Sequence, residues 1–454
     1  MLKNSVQNQE NVITTKQELC EIFYSGFKNC EQKNVGVEFE KLPLNSKMHT
    51  AASYFDVAKF LCDFQSNKKY HWQNIRENGA ILGLKNANGT ITLEPGSQTE
   101  LSLEPKSNIH DIRRYIDHYN KDTSLLAQQY EITWLGYGIQ PVSTYRNINI
   151  IPKKRYKLMT QYLPTVAKRP LVMMRETAGI QASFDYQDEQ DAMRKFSLAL
   201  KLSPIVSAMF ANSPIRNGHL TKYKSNRAAS WLDTDGSRCG LVSSKAFQVH
   251  KFSFEEYVEI LLDVPMIFIE RENEFQQKIA INLAGITFRE FMNRGYNGYF
   301  ATKDDWLLHI SLYFPDVRFK NYIEIRNHDN QRKDLICAVP AFWKGILYNN
   351  DAILAVQDVL KSFSYFDFEY MRKITPKKGL DLKIKNLVLK DLVQEIIEIS
   401  YASLKSYGKN EDVYLEPLID LSQKGLTPAD VIIQKWENEW QCKIEKLIEY
   451  TKLD

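Results

Sequence analysis

The sequence predicts an α+β fold with a largely antiparallel sheet and helices covering one side, and three observations support it. Residues 35–40 and 90–102 alternate apolar and polar side chains with the period of two expected of half-buried strands. Asn88-Gly89 lies between two strand-like runs and is typical of a hairpin turn, which joins antiparallel neighbours. From about residue 341 to residue 454 the apolar spacing is almost entirely helical, so we expect a helical carboxyl-terminal portion.

The remaining elements follow from local signals. Thr15-Lys16-Gln17-Glu18 matches a capping box, which predicts a helix that ends near Phe27. Further helices are expected at about 53–67, 108–130 and 189–210, and further strands at 83–86, 90–93, 133–140, 181–186, 265–271 and 322–326.

Length and composition indicate an ordinary folded protein. The chain has 454 residues, 44% hydrophobic and 25% charged, which allows a large core and argues against extended disorder. The polar, turn-forming stretches near residues 45–47 and 86–89 are only loop-sized, so no linker is evident. We therefore expect a single domain over residues 1–454.

Charge and cysteine usage exclude several classes of function. A net charge of +4 without a basic segment argues against a nucleic-acid partner, and Lys153-Lys154-Arg155 is interpreted as a solvated surface. No apolar run reaches the roughly 18 residues of a membrane span, and the polar amino terminus lacks a signal-peptide region, which predicts a cytoplasmic protein. Six scattered cysteines show no zinc-ligand spacing.

Acidic residues on predicted strands are the strongest functional signal. Glu38 and Glu40 lie two residues apart, about 6.6 Å along one strand face at roughly 3.3 Å per residue, which suits two oxygen ligands of a divalent ion. The alternative is a pair of solvent-facing acids on an edge strand. Glu94 and Glu100 flank a Pro-Gly turn nearby, and Gln98 shares a strand face with Glu100.

Several converging carboxylates would repel one another, and a bound cation would relieve that repulsion. Because no cysteine or histidine cluster accompanies them, the hard oxygens favour Mg²⁺, with Mn²⁺ possible, over zinc.

Two further segments combine acids with arginines. In Tyr322-Ile323-Glu324-Ile325-Arg326, a carboxylate and a guanidinium share one strand face; the alternative is a surface salt bridge. The polar loop around Asp235 is flanked by Arg227 and Arg238, which could neutralise phosphate charge if the loop covers the site. The sequence contains no phosphate-binding glycine-rich loop of the P-loop type, so nucleotide chemistry would depend on carboxylates and metal.

The chain resembles the glutamate–cysteine ligases of the plant and proteobacterial type from about residue 35 to about residue 440. The matching motifs are Gly-Val-Glu-Phe-Glu (36–40), Leu-Glu-Pro-Gly-Ser-Gln-Thr-Glu-Leu-Ser (93–102), Phe-Ala-Asn-Ser-Pro (210–214), Asp-Thr-Asp-Gly-Ser-Arg (233–238), Asp-Val-Pro-Met (263–266), Gly-Ile-Thr-Phe-Arg-Glu-Phe (285–291), Tyr-Ile-Glu-Ile-Arg (322–326) and Pro-Ala-Phe-Trp (340–343).

The resemblance implies a glutamine synthetase-like fold whose curved sheet forms a funnel for ATP and Mg²⁺. It implies ATP-dependent formation of γ-glutamylcysteine, the first step of glutathione synthesis, through a γ-glutamyl phosphate. By that resemblance the metal ligands are Glu38, Glu40, Glu94, Glu100 and Glu324, and Arg326 and Arg238 contact phosphate. Together with the loop and strand patterns, this gives Arg326, Arg238 and Arg227 as candidate catalytic residues, Arg326, Arg238, Gln98 and Asp235 as candidate nucleotide-binding residues, and Arg175, Gln181 and Trp231 as candidate substrate-binding residues.

One departure concerns the acid substrate. Aligned on Gln181, Glu176 falls where the family has an arginine for the substrate carboxylate, and Arg175 is one place early. If this segment is a strand, that shift points Arg175 to the opposite face. The nearest alternative is therefore a related ligase that joins a different acid or amine, and a nucleotide-binding pseudoenzyme is a further one. The expected partners are small molecules, and the chain itself is expected to be a monomer or a homodimer. Tyr137, Tyr223 and Trp231 are candidates to line the thiol pocket.

Overall fold

The computed structural model describes residues 12–67, 69–273, 278–283 and 285–454, and its central feature is a nine-stranded sheet. The strands of the described chain are β1 (Val35–Asn45), β2 (Gln73–Glu77), β3 (Ala80–Asn86), β4 (Gly89–Leu93), β5 (Thr99–Lys106), β6 (Ile132–Leu135), β7 (Gly179–Phe184), β8 (Ile215–Arg216), β9 (His219–Leu220), β10 (Cys239–Gly240), β11 (Phe268–Glu272), β12 (Lys278–Asn282), β13 (Phe314–Pro315), β14 (Val317–Phe319), β15 (Ile323–Asp329), β16 (Lys383–Ile384) and β17 (Leu387–Val388).

The large sheet has the order β14-β15-β7-β1-β5-β4-β3-β2, and β6 pairs with the last four residues of β1. Every neighbouring pair in it is antiparallel, which confirms the predicted sheet type. Strands that are distant in sequence, above all β15 and β7, therefore become neighbours of β1.

Helices account for most of the rest. They are α1 (Lys16–Tyr24), α2 (Tyr54–Gln65), α3 (Ile109–Ala127), α4 (Lys154–Val166), α5 (Pro170–Glu176), α6 (Glu189–Met209), α7 (Asn226–Trp231), α8 (Phe254–Leu262), α9 (Phe288–Arg294), α10 (Lys303–Ser311), α11 (Ala338–Leu347), α12 (Asn350–Leu360), α13 (Tyr365–Lys378), α14 (Leu389–Ser406), α15 (Glu416–Gln423), α16 (Pro428–Asn438) and α17 (Ile444–Thr451). The capping box at Thr15 and Glu18 is present, and the predicted helical carboxyl-terminal portion is confirmed, with β16 and β17 as a short hairpin inside it.

The two faces of the sheet differ in character. Val37 and Phe39 of β1 are buried in the apolar core on one side. Lys41 points the same way, and its Nζ donates to Thr123 Oγ1 of α3 at 2.7 Å. Because strand side chains alternate, Glu38 and Glu40 face away from α3. The acidic residues of β1 thus lie on the face of the sheet opposite α3.

Several predicted boundaries need correction. Asn86 pairs with Gly89, so the hairpin turn is Ala87-Asn88 and Gly89 already belongs to β4. The strand expected at 133–140 ends at Leu135, because the chain after it leaves the sheet and crosses toward α5 and β7, where Ile139 bridges Thr177. β7 begins at Gly179, two residues earlier than expected.

Within the described residues, no helix combines the length and apolar character needed to cross a bilayer. The prediction about a signal peptide concerns an amino terminus whose residues 1–11 lie outside the described chain. The single-domain assignment of residues 1–454 stays a prediction.

Candidate active site

The register of the central strands gathers acids on the face of the sheet opposite Val37 and Phe39. Glu40 of β1 lies directly opposite Glu100 of β5, and Glu38 lies opposite Ser102 on that side and Gln181 of β7 on the other. Cross-strand neighbours on one face are only about 4.5–5.5 Å apart, so these side chains share one surface. The alternative of solvent-facing acids on an edge strand does not hold, because β1 is paired on both sides.

Glu94 joins this surface from the end of β4. The Glu94 and Gln98 backbones pair across a tight turn, and the Tyr156 hydroxyl donates to Glu94 Oε1 at 3.0 Å. Gly96 is required by close approach: a Cβ there would lie 2.2 Å from the Arg175 carbonyl oxygen. The Pro-Gly turn therefore packs against α5 and presents Glu94 to the cleft.

A cavity of about 380 Å³ opens over this face and is lined by four carboxylates, those of Glu38, Glu40, Glu94 and Glu100. Its volume lies within the range of small-molecule sites. Six cationic side chains also line it: Lys153, Arg155, Arg227, Arg318, Lys320 and Arg326. A cleft with acids at its floor and cations around them is suited to a metal–phosphate ligand.

Three of these acids hold their protons more tightly than usual. Burial raises the pKa of Glu38, and the nearby Glu324 raises it further. Burial raises the pKa of Glu40 to about 7, against the opposing effect of Arg227. Burial, followed by the charges of Glu38 and Glu94, raises the pKa of Glu100 well above its ordinary value. A bound cation would favour the ionised forms and so oppose these shifts.

Glu324 behaves differently from the other four acids. Its carboxylate is fully buried and pairs with Arg318 at 2.5 Å, Arg326 at 2.7 Å and Lys320 at 2.8 Å. Burial alone would raise the pKa of Glu324, but these three cations hold it well below its ordinary value. The structure thus places Glu324 beneath the cations and outside the lining of the cleft, which departs from its predicted position among the metal ligands.

Arg326 and Arg227 both reach the cleft, from different elements. Arg326 lies at a bulge in β15 and donates to the Gln181 side chain as well as to Glu324. Arg227 of α7 donates from Nη2 to the Arg326 carbonyl oxygen at 2.8 Å, and its Nε is buried without a hydrogen-bond partner. Gly179 makes room for the Arg227 guanidinium, since a Cβ there would lie 2.6 Å from Nη2.

The structure does not bring Arg238 and Asp235 into the cleft. The Arg238 side chain is fully buried, with Nε donating to Asp235 Oδ2 at 2.6 Å and the terminal nitrogens donating to the Pro265 and Leu312 carbonyl oxygens. Arg238 thus uses Nε and both terminal nitrogens to hold the 233–238 loop against its neighbours. Their predicted contacts with nucleotide have no support in this arrangement.

Arg175 and Glu176 also lie away from the cleft, in helix α5 rather than on a strand. Arg175 Nη1 donates to the carbonyl oxygens of Tyr145 and Ile148 at 3.1 and 3.2 Å. Glu176 is fully buried and accepts both Arg216 Nε at 2.5 Å and Nη2 at 2.8 Å. The argument from strand alternation therefore does not apply, and Arg175 is not positioned to bind a substrate in the cleft.

The other predicted contacts divide in the same way. Gln181 and Trp231 line the cleft. Gln98 lines it too, but its amide is engaged, accepting from Gly96 N at 2.8 Å and donating to the Thr177 carbonyl oxygen at 2.8 Å. Tyr137 exchanges hydrogen bonds with Ile215 in the core, and neither it nor Tyr223 lines the cleft.

Sequence reasoning missed four cleft cations: Lys153, Arg155, Arg318 and Lys320. Arg155 was assigned to a solvated basic run, yet it donates to Ser311 Oγ at 2.8 Å and lines the cavity. The sequence did offer one signal for Arg155. It lies four residues before Met159, so the two share one face of α4, and both line the cleft. Arg318 gave no local signal, since β14 has only three residues.

The donor set of the cleft suits a hard divalent ion, since it consists of carboxylates without thiol or imidazole. Within the described residues, however, no group of three or more acidic, histidine or cysteine side chains is arranged so that it could hold a metal ion. The four glutamates are therefore candidate ligands that would have to converge around the ion.

A family model described as glutamate-cysteine ligase family 2 matches residues 34–450. The chain is 33% identical over 438 residues to the chloroplastic glutamate–cysteine ligase of Nicotiana tabacum, covering 96% of this chain and 82% of that protein. It is 32% identical to the chloroplastic enzyme of Arabidopsis thaliana over the same shares of both chains.

Solved structures show a likeness of fold. A glutamate–cysteine ligase from Francisella tularensis in complex with AMP aligns with a TM-score of 0.53 at 14% identity, covering 92% of this chain and 87% of that one. A bifunctional glutathione synthetase from Pasteurella multocida aligns with a TM-score of 0.50 at 12% identity, covering 96% and 52%. The predicted glutamine synthetase-like fold is confirmed.

The predicted cytoplasmic location is wrong. The curated relatives from tobacco, Arabidopsis and rice are all named chloroplastic, which contradicts that expectation. The expectation rested on the absence of a membrane span and of a signal-peptide region, and neither absence separates these two compartments.

Proposed function

Because the chain belongs to glutamate-cysteine ligase family 2, we infer that it is an ATP-dependent ligase that joins glutamate to cysteine in glutathione biosynthesis, and that the acidic cleft is its active site. The observation that supports the cleft as the site is the meeting of four carboxylates and six cations around one cavity. Binding of ATP is further supported by the Francisella tularensis relative in fold, which was solved with AMP.

The reaction has two steps. The γ-carboxylate of glutamate attacks the γ-phosphorus of ATP, forming an acyl phosphate and releasing ADP. The amino group of cysteine then attacks the acyl carbon, and phosphate leaves as the amide forms. Both steps move negative charge, so catalysis depends on positioning and on charge neutralisation rather than on a protein nucleophile.

The residues of the cleft can be given roles on that basis. Arg326 and Arg227 come from adjacent elements and present guanidiniums at the centre of the cleft, where they would stabilise the transferring phosphoryl group. Lys153 and Arg155, at the start of α4, also line the cleft and would hold further negative charge of the nucleotide. Gln181, already bonded to Arg326, would orient that arginine.

Mg²⁺, or Mn²⁺ in its place, would be held by Glu38, Glu40, Glu94 and Glu100. When bound, such an ion neutralises phosphate oxygens and brings the nucleotide and the acid into line. Glu324 is left out of this set, since its carboxylate serves three cations.

The alternative of a ligase for another acid was motivated by Glu176, and its position removes that motive. Glu176 pairs with Arg216 outside the cleft, so it does not oppose a substrate carboxylate there. A pseudoenzyme is disfavoured because it would have no reason to retain crowded carboxylates with raised pKa values.

The test is a substrate panel. Purified protein is incubated with ATP, Mg²⁺, glutamate and each of several amines, including cysteine, serine, alanine and glycine, and both ADP and the dipeptide are measured. We expect product with cysteine far above the others, and none when a chelator removes divalent ions. Strong ADP release without preference for cysteine, or glutamate replaceable by another acid, would contradict the assignment.

A further inference from the structure

Residues 210–214, Phe-Ala-Asn-Ser-Pro, match a family motif but do not line the cleft. Two hydrogen-bond donors of this segment bind Asp329 instead, at the end of β15. Asn212 N donates to Asp329 Oδ2 at 2.8 Å, and Ser213 Oγ donates to the same oxygen at 2.6 Å. One carboxylate oxygen thus holds this motif in place.

The other oxygen of Asp329 holds the start of helix α7. Ser225 Oγ donates to Asp329 Oδ1 at 2.7 Å, and Ser225 is the N-cap of α7, accepting from Ala228 N at 2.9 Å. Arg227 N donates to Ser213 Oγ at 3.3 Å. The first turn of α7 is therefore fixed to Asp329 through two serines, and hydrogen bonds to an ionised group are the stronger kind.

Two features indicate that this cluster is built around the carboxylate. Asp329 is 2% exposed, so water does not compete for its oxygens. Gly138 leaves room for the Asp329 carboxylate, since a Cβ at Gly138 would lie 2.7 Å from Asp329 Cγ. A buried carboxylate with three donors fixes its neighbours in one geometry.

We propose that Asp329 is a positioning residue for the ligase reaction, holding α7 so that the Arg227 guanidinium stays beside Arg326 in the lining of the cleft. Asp329 lies three residues beyond Arg326 on the same strand, so a single side chain sets the position of the first turn of α7 relative to β15. The inference rests on the proposed function, because it assigns Asp329 its effect through Arg227.

The test is a double-mutant cycle between Asp329→Asn and Arg227→Ala. Asparagine keeps the shape but removes the charge that the serines bond, so Arg227 loses its fixed position. We expect kcat/KM to fall about tenfold or more, as for the loss of hydrogen bonds to a charged group. Asp329→Asn should change the same one of kcat and KM that Arg227→Ala changes, but by a smaller factor. In the Arg227→Ala background, Asp329→Asn should add almost nothing.

Asp305→Asn is the matched control. Asp305 is also 2% exposed and accepts from Thr302 N at 3.0 Å and Thr302 Oγ1 at 2.8 Å, but it lies on α10 outside the lining of the cleft. This variant should lower the melting temperature, leave kcat and KM unchanged, and show no coupling to Arg227→Ala. A purely structural role for Asp329 would give the same pattern as this control.

Ser225→Ala serves if Asp329→Asn fails to fold, because it removes one hydrogen bond of the cluster and should give the same kinetic signature at smaller size. Full additivity of Asp329→Asn, or of Ser225→Ala, with Arg227→Ala would overturn the positioning role while leaving the ligase assignment intact. A wild-type protein without cysteine-dependent product would overturn the ligase assignment itself, and this inference with it.

Discussion

Glu40 on β1 and Glu324 on β15 face the same side of one sheet, yet the pKa values of their carboxyl groups are shifted in opposite directions. Glu40 lies across from another acid, Glu100, whereas Glu324 lies across from Arg318. The pKa of Glu40 is raised to about 7, with burial as the main cause. The pKa of Glu324 is held well below its ordinary value because three cations outweigh its burial.

The difference shows that direct ion pairs decide what a carboxylate on this face does, since Glu324 has three and Glu40 has none among the described residues. Glu40 accepts a hydrogen bond from Gly179 N but has no ion pair among the described residues, so an added cation would stabilise its ionised form. An acid opposite an arginine is already neutralised and instead fixes the cations around it. We therefore assign Glu40 to ligand binding and Glu324 to the support of Arg318, Lys320 and Arg326.

Glu324→Gln should have the largest effect of the variants proposed, and that effect should be a loss in the free energy of unfolding. The neutral amide leaves the buried Arg318 and the partly exposed Lys320 and Arg326 close together without a counter-charge. Removal of one partner from a buried ion pair costs about 3–5 kcal/mol, and we expect a loss of that order in the free energy of unfolding. Chemical denaturation followed by circular dichroism measures it.

Lys320→Gln provides the control for that variant. In the wild type it removes a partner of Glu324 and should be destabilising, while in the Glu324→Gln background it relieves repulsion between cations and should be stabilising. A Glu324→Gln protein as stable as the wild type would show that these cations need no carboxylate, and the division between the two acids would fail.

Glu40→Gln should act on turnover rather than stability. Loss of one preorganised charge-stabilising group lowers kcat by about 100- to 1,000-fold, and we expect that range here. The free energy of unfolding should stay equal or rise, since one of several crowded acids becomes neutral. Steady-state kinetics with varied Mg²⁺, together with denaturation curves, would check both expectations.

Glu104→Gln is the matched variant for Glu40→Gln. Glu104 lies on β5 with Glu100 but is exposed and does not line the cleft. It should change neither turnover nor the Mg²⁺ requirement. Equal activity of Glu40→Gln and Glu104→Gln would remove Glu40 from the proposed ligand set.

The sequence predicted the acids of this site better than its cations. Period-two alternation is a local property, so Glu38 and Glu40 could be placed on one face from β1 alone. The assignment of Glu324 to the same ligand set depended on a strand far along the chain. Its partner Arg318 becomes visible only when β14 pairs with β15, and a three-residue strand carries almost no signal of its own.

The substrate segment shows a second limit of sequence reasoning. Arg175 and Glu176 were interpreted with the alternation of a strand, but Pro170 opens a short helix that ends at Glu176, before β7 begins. Proline at the first turn of a helix is a recognisable start signal. What local sequence could not supply is Arg216, the ion partner of Glu176, because that contact is tertiary.

The smallest expected effect concerns pH and tests the raised pKa of Glu40 directly. A carboxyl group whose pKa is higher in the folded state than its ordinary 4.5 contributes stability that is complete below about pH 4.5 and is lost as the pH rises through about 7. For protein freed of divalent ions and nucleotide, we expect the free energy of unfolding to fall by about 1–3 kcal/mol between pH 5 and 8. Glu324 does not contribute in this window, because its lowered pKa moves its effect below pH 4.5.

Glu40→Gln should reduce the slope, and saturating Mg²⁺ should reduce it in the wild type by stabilising the ionised form. An identical slope in wild type and Glu40→Gln, with or without Mg²⁺, would mean that Glu40 ionises normally and is no different from an exposed acid.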